Sequence, residues 1–138
     1  MAGRWLVKTE PEAYSFAQLE RDGRTVWDGV KNALALKHLA AVATGDEVLV
    51  YHTGDVKAAV GVARALRGAY PDPKQKDPRL VVVDLAPVRA LPHAVSLAAM
   101  RANRKLAGFD LLRLPRLSVM PVSAAQWSEI ERMAKAGS

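Results

Sequence analysis

The stretch that most constrains the fold is Leu80-Val81-Val82-Val83-Asp84-Leu85-Ala86-Pro87-Val88. It is rich in β-branched residues and long and apolar enough to be a central strand, so it needs neighbours on both edges. Glu47 to Thr53 supplies a second strand. Gly54-Asp55 then turns the chain into a third, Ala58 to Leu66, which is full of small residues, includes Gly61 and should run antiparallel to the second. Arg4 to Lys8 opens the chain as a strand that Pro11 stops, and Arg116 to Val119 reads as a short one. Between residues 69 and 78 three prolines and several charges mark an exposed loop, anchored by Tyr70 and unable to enter a sheet.

Helix signals fall between these strands. Ser15-Phe16-Ala17-Gln18 has the form of a capping box and predicts a helix from Phe16 to Arg21, closed by Asp22-Gly23. Leu34, Leu36, Leu39 and Val42 recur at helical spacing, predicting a helix from Ala33 to Ala43 with Gly45 as its C-cap and Asn32 as its N-cap. Ser96 to Asn103 reads as a short helix, and Ser123 opens a last one over Ala124 to Ala134. Helices set among hairpin-linked strands, without regular strand-helix-strand alternation, predict an α+β fold: one domain over residues 1–138 holding a curled, mixed half-barrel.

Composition narrows the chemistry. The chain has no cysteine, which excludes disulfides, thiolate metal sites and a cysteine nucleophile. His38, His52 and His93 are scattered over different elements, so no metal and no cofactor are expected. No apolar run approaches the roughly 18 residues of a membrane-spanning helix, and the N-terminus leads into a strand pattern; a soluble, cytoplasmic monomer is expected. The net charge of +6 is uneven: residues 70–138 hold eleven Lys and Arg against six Asp and Glu. Arg101, Arg104, Lys105, Arg113 and Arg116 stand against Asp110 alone, an excess suited to the phosphates of a nucleic acid.

Trp27-Asp28-Gly29-Val30-Lys31-Asn32 concentrates a large aromatic, a carboxylate, a permissive glycine, a cation and an amide between two apolar segments. Such a loop offers a nucleobase a stacking face, close backbone approach and edge hydrogen bonds. The same residues also read as a core aromatic, a turn glycine and a helix N-cap. Strand alternation sends Lys8 and Glu10 to one side and Thr9 to the other, and puts His52 at the end of its strand on the face of Val48 and Val50.

Taken together, Trp5-Leu6-Val7-Lys8-Thr9-Glu10-Pro11, Trp27-Asp28-Gly29-Val30-Lys31-Asn32, Gly45-Asp46, Tyr51-His52-Thr53, Val60-Gly61, Tyr70-Pro71-Asp72-Pro73, Val83-Asp84 and Arg116-Leu117-Ser118-Val119 resemble the EVE domain over nearly the whole chain. The resemblance implies a PUA-like open β-barrel of about five or six strands with flanking helices. It also implies a module that reads a modified base in DNA or RNA. Trp27 would then be a wall of the base pocket, lined by Lys8, Thr9 and Glu10, with Gly29, Val30 and Asn32 giving backbone and amide contacts and His52, Thr53 and Ser118 completing the rim. Many family members carry an aromatic where this chain has Leu80, which would leave the cage one aromatic short. The related ASCH domains suggest an alternative, an amidohydrolase acting on a modified nucleoside with Lys8 as base, Thr9 as nucleophile and Glu10 as acid/base. A purely protein-binding module would leave Trp27 and the basic segment without a role.

Overall fold

The computed structural model describes residues 3–137. Its strands are β1 (Arg4–Thr9), β2 (Thr25–Trp27), β3 (Glu47–His52), β4 (Ala58–Pro71), β5 (Val81–Ser96) and β6 (Val119–Pro121). Its helices are α1 (Phe16–Asp22), α2 (Ala33–Ala40), α3 (Leu97–Arg101), α4 (Asp110–Arg113) and α5 (Ala124–Ala136), with a 3-10 turn at Arg104–Leu106. The strands form one six-stranded sheet in the order β2-β5-β4-β3-β1-β6. Only the β1–β3 pair is parallel, with Arg4 opposite Glu47 and Thr9 opposite His52. This is the curled mixed half-barrel with flanking helices that the sequence predicts.

The curl is built into β4 and β5. Their ladder shifts register at four places, and each extra residue bends the strand and adds twist. The bulges also explain how β5 runs to Ser96 rather than stopping at Val88 as expected. Pro87 pairs with Ala63 at one register shift, and Pro92 falls in the interval between the Gly61–Ala90 and Ala59–Val95 pairs, where a missing N–H breaks no ladder bond.

Several boundaries differ from the sequence expectation. β4 continues through Ala69, Tyr70 and Pro71, so the start of the proline-rich segment does enter the sheet; Pro71 is the last residue of the strand, opposite Val81. Trp27 lies in a three-residue edge strand paired with Val83, not in a loop. The short strand near residue 116 is displaced to Val119–Pro121, where Val119 pairs with Val7. α2 ends at Ala40, and Gly45, at φ 89°, serves instead the turn into β3, where its N–H donates to the Ala65 carbonyl. That turn is closed by buried Asp46, whose carboxylate accepts from the Gly3 and Ala43 N–H groups and from Trp5 Nε1. Three helix starts fall where the sequence put them, because Ser15, Asn32 and Ser123 each accept a hydrogen bond from the third residue onward. Gly23 ends α1 in the left-handed conformation, at φ 78°.

Both faces of the sheet are covered. Leu6 and Val7 are adjacent on β1 and both buried, and all of Val48 to Tyr51 on β3 is buried, so these strands read as continuous apolar runs. α5 packs on β5 through its buried face of Trp127, Ile130 and Met133, and α2 inserts Ala35 and Leu39 between β4, β5 and β6.

Candidate functional site

The parallel strands β1 and β3 finish side by side, and the chain that leaves them is tied down at once. The Thr53 N–H donates to the Thr9 carbonyl at 2.9 Å, and the Thr9 hydroxyl donates to the Tyr14 carbonyl at 2.9 Å. His52 Nε2 accepts the Phe16 N–H at 3.1 Å, satisfying one of the free donors of the α1 N-terminus. That bond requires an unprotonated Nε2, and burial does push the His52 imidazole below its ordinary value, partly countered by the charge of Glu12.

These ties set Tyr14 against Trp27, edge to face, with ring centroids 6.4 Å apart and planes at 86°. Between them and the end of β1 opens a cleft of about 580 Å³. Lys8, Thr9, Tyr14, Thr25, Trp27 and Asp28 line it, with Lys74 at its side. Trp27 is only 7 % exposed, so it closes the cleft as a back wall and presents little of its ring. Tyr14 is half-buried, and its hydroxyl donates to Asp22 at 2.8 Å.

Lys8 stands at the boundary of two hollows. Its ammonium donates to the Pro115 carbonyl at 2.9 Å and lies 5.8 Å from the centre of the Tyr51 ring, and burial pushes it below the ordinary lysine value. Beyond it lies a second hollow of about 230 Å³, reached by Thr53, Lys57 and Arg101.

The remaining residues singled out from sequence are placed elsewhere. Glu10 is exposed and lines neither hollow. Gly29 and Val30 border a separate crevice of about 20 Å³ together with Leu80 and Val81. Leu80 thus borders that crevice and does not line the cleft at Trp27. Asn32 spends its side-chain oxygen on the Ala35 N–H at 3.0 Å and borders an apolar hollow with Leu34, Leu114 and Leu117. His52 is an internal hydrogen-bond acceptor, and Ser118 enters through its carbonyl, which accepts the Lys8 N–H at 3.0 Å.

The five cations proposed to meet phosphates are also dispersed. Arg101 reaches the hollow beside Lys8, Arg104 and Lys105 sit beside Glu129, and Arg113 and Arg116 border the apolar hollow. Lys105 and Arg113 face carboxylates, at 3.9 Å from Glu129 and 2.8 Å from Asp110.

Tyr14, Thr25 and Lys74 were not singled out from sequence. Tyr14 alone left a signal, as an aromatic directly before the Ser15 N-cap, where the entry angle of the helix fixes its ring. The triad imagined for an amidohydrolase is not assembled: the Thr9 hydroxyl donates to a backbone carbonyl, the Lys8 ammonium donates to another, and neither side chain bonds the other. Among the described residues no three His, Asp or Glu side chains converge as a metal site, and no helix is long and apolar enough to cross a membrane.

Comparison with known proteins identifies the family. A Rhodopseudomonas palustris protein whose structure was solved by NMR is 37% identical, with a TM-score of 0.92 over 98% of this chain and 94% of its own. An Agrobacterium tumefaciens protein of known crystal structure is 32% identical, with a TM-score of 0.93 over 96% of this chain and 93% of its own. Human thymocyte nuclear protein 1 is 25% identical over 161 residues, which cover 92% of this chain and 72% of the human protein. Its crystal structure in complex with DNA containing 5-methylcytosine matches with a TM-score of 0.90 at 24% identity, over 97% of this chain and 98% of that one. The EVE domain model matches residues 3–133, nearly the entire described structure, and the chain belongs to the EVE domain family.

Proposed function

We propose that this chain is a binding module for nucleic acid carrying a modified base, and that the base enters the cleft between Tyr14 and Trp27. The observation that carries the reading is the likeness to human thymocyte nuclear protein 1, which has been crystallised with DNA containing 5-methylcytosine. The cleft offers what such a ligand requires. Its volume of about 580 Å³ falls in the range of small-molecule sites and leaves room for a base and its modification. Tyr14 gives an accessible ring to stack on and Trp27 an apolar back wall, while Thr25 and Asp28 present a hydroxyl and a carboxylate to the edge of a base. A base drawn from a duplex must leave its stack at a cost of a few kcal/mol, which phosphate contacts can offset; a single strand avoids most of that cost.

The test is a binding titration against matched oligonucleotides, single-stranded and duplex, that differ only in one base: cytosine or 5-methylcytosine, with a hydroxymethylated and a thiolated base in further pairs. The expected result is tighter binding to at least one modified member of the set. Equal affinity for every modified and unmodified pair would overturn the reading.

A further inference from the structure

We propose that the hollow formed by Lys8, Lys57 and Arg101 is a phosphodiester-binding site, built to hold the backbone next to a base seated in the neighbouring cleft. The inference rests on the reading of that cleft as a base site. Lys8 lines both hollows, so an anion held at the second lies one side chain away from a ligand in the first.

The second hollow gathers the positive charge that a phosphate needs, over a floor that includes Leu97, Leu111 and Pro115. Three cations line it, together with the Thr53 side chain and the Tyr51 ring, and no carboxylate does. Among the described residues, none of the three cations lies within 4 Å of an Asp or Glu oxygen, whereas Lys105 and Arg113 both do. Lys8 gives one N–H to the Pro115 carbonyl and rests against Tyr51, which fixes its head while leaving further donors. Lys57 stands at φ 48°, alone among the described non-glycine residues in having a positive φ. A left-handed backbone at a lysine is unfavourable, and strain of this kind gathers where a side chain must be aimed at a ligand. The Leu97 N–H donates to the Lys57 carbonyl at 2.8 Å, holding this corner against the start of α3, the helix that carries Arg101.

The consequence is a footprint different from the one charge counting suggests: the phosphate site is Lys8, Lys57 and Arg101, drawn from three distant segments, with Arg101 its one member from the basic run of residues 101–116.

The test uses the full chain and the double variant Lys57→Gln with Arg101→Gln, which leaves Lys8 in the cleft. Affinity for a modified oligonucleotide and for its unmodified twin is measured from low to moderate salt. Because each phosphate neutralised contributes about 0.7 to 0.9 to the slope of log affinity against log salt, the double variant should lose up to about 0.7 to 0.9 of that slope while the ratio of affinities for the two oligonucleotides stays as in the parent. A thermal melt matching the parent excludes misfolding, and the single Arg101→Gln variant, whose backbone is ordinary helix, repeats the test with half the effect. An unchanged slope in both variants overturns the site. If the parent binds both oligonucleotides equally, the base-reading proposal fails, yet a reduced slope in the variants still supports the phosphate site.

Discussion

The ring of Phe16 occupies the space that a side chain at residue 61 would need. A Cβ placed on Gly61 would come within 2.5 Å of Phe16 Cε1, Cε2 and Cζ, a separation at which one of the two must move. Both residues are buried, and Phe16 is pinned by the bond from its N–H to His52. Gly61→Ala is therefore expected to cost about 1–3 kcal/mol through overpacking, with a lowered melting temperature as the readout. The same substitution in a Phe16→Leu background should cost clearly less; equal costs in the two backgrounds would show that the clash is absorbed elsewhere.

Acid should weaken the packing of α5. The Glu129 carboxylate accepts from Arg132 at 2.9 and 2.6 Å and from the Asn103 amide, which holds its pKa at about 2, against an ordinary 4.5. A carboxyl whose folded pKa is depressed stabilises the fold above its unfolded value and loses that contribution as pH falls toward its folded one. The stabilisation is thus complete above pH 4.5 and disappears between 4.5 and about 2. Urea titrations should show Glu129→Gln less stable than the parent at pH 7, with the gap closing across this window. A gap that stays constant down to pH 2 would mean that the pair contributes nothing through its charge.

Asn32 separates a cap from a reader. Its side-chain oxygen is engaged by the Ala35 N–H, and it borders a different hollow from Trp27. Asn32→Ala is expected to cost about 1 kcal/mol of stability, as for other N-caps, and to leave the preference for a modified base as it was. Loss of that preference with an unchanged melt would bring Asn32 back into the base site.

How much was legible in the sequence follows from these cases. The helix starts were, because Ser15, Asn32 and Ser123 act within one turn of chain, and so was the mixed sheet, because its strands differ so plainly in pattern from the helices. The length of β5 was not, since Pro87 and Pro92 are strand breakers until bulges in β5 itself, opposite β4, absorb them. Of the residues that line the cleft, Lys8, Thr9 and Trp27 stood out in the sequence, each near the end of a strand rich in β-formers. Lys57 and Lys74 did not, because their proximity to the two hollows comes from register and curl, and no local pattern carries that information; Tyr14 left only the signal of an aromatic before a helix N-cap. Within the basic run between residues 101 and 116, neighbours in sequence border three different hollows: Arg101 on α3 one, Arg104 and Lys105 on the 3-10 turn another, and Arg113 and Arg116 a third.

Trp27 has to be tested in two steps, because the residue belongs to both the core and the cleft. At 7 % exposure its indole is packed against Tyr14 and the core, so Trp27→Ala is expected to cost about 3–5 kcal/mol and to confuse loss of binding with loss of fold. Trp27→Phe keeps an aromatic in the core but withdraws the larger ring from the back of the cleft, while Tyr14→Ala removes the accessible stacking face at a half-buried position. If a base stacks on Tyr14 against Trp27, Tyr14→Ala should lose roughly 1–3 kcal/mol of binding to a modified oligonucleotide. Trp27→Phe should lose less affinity but most of the discrimination between modified and unmodified base, because the depth of the cleft sets which substituent fits. Melts and titrations on the same samples decide it: two folded variants with parental affinity and parental discrimination would place the base outside this cleft.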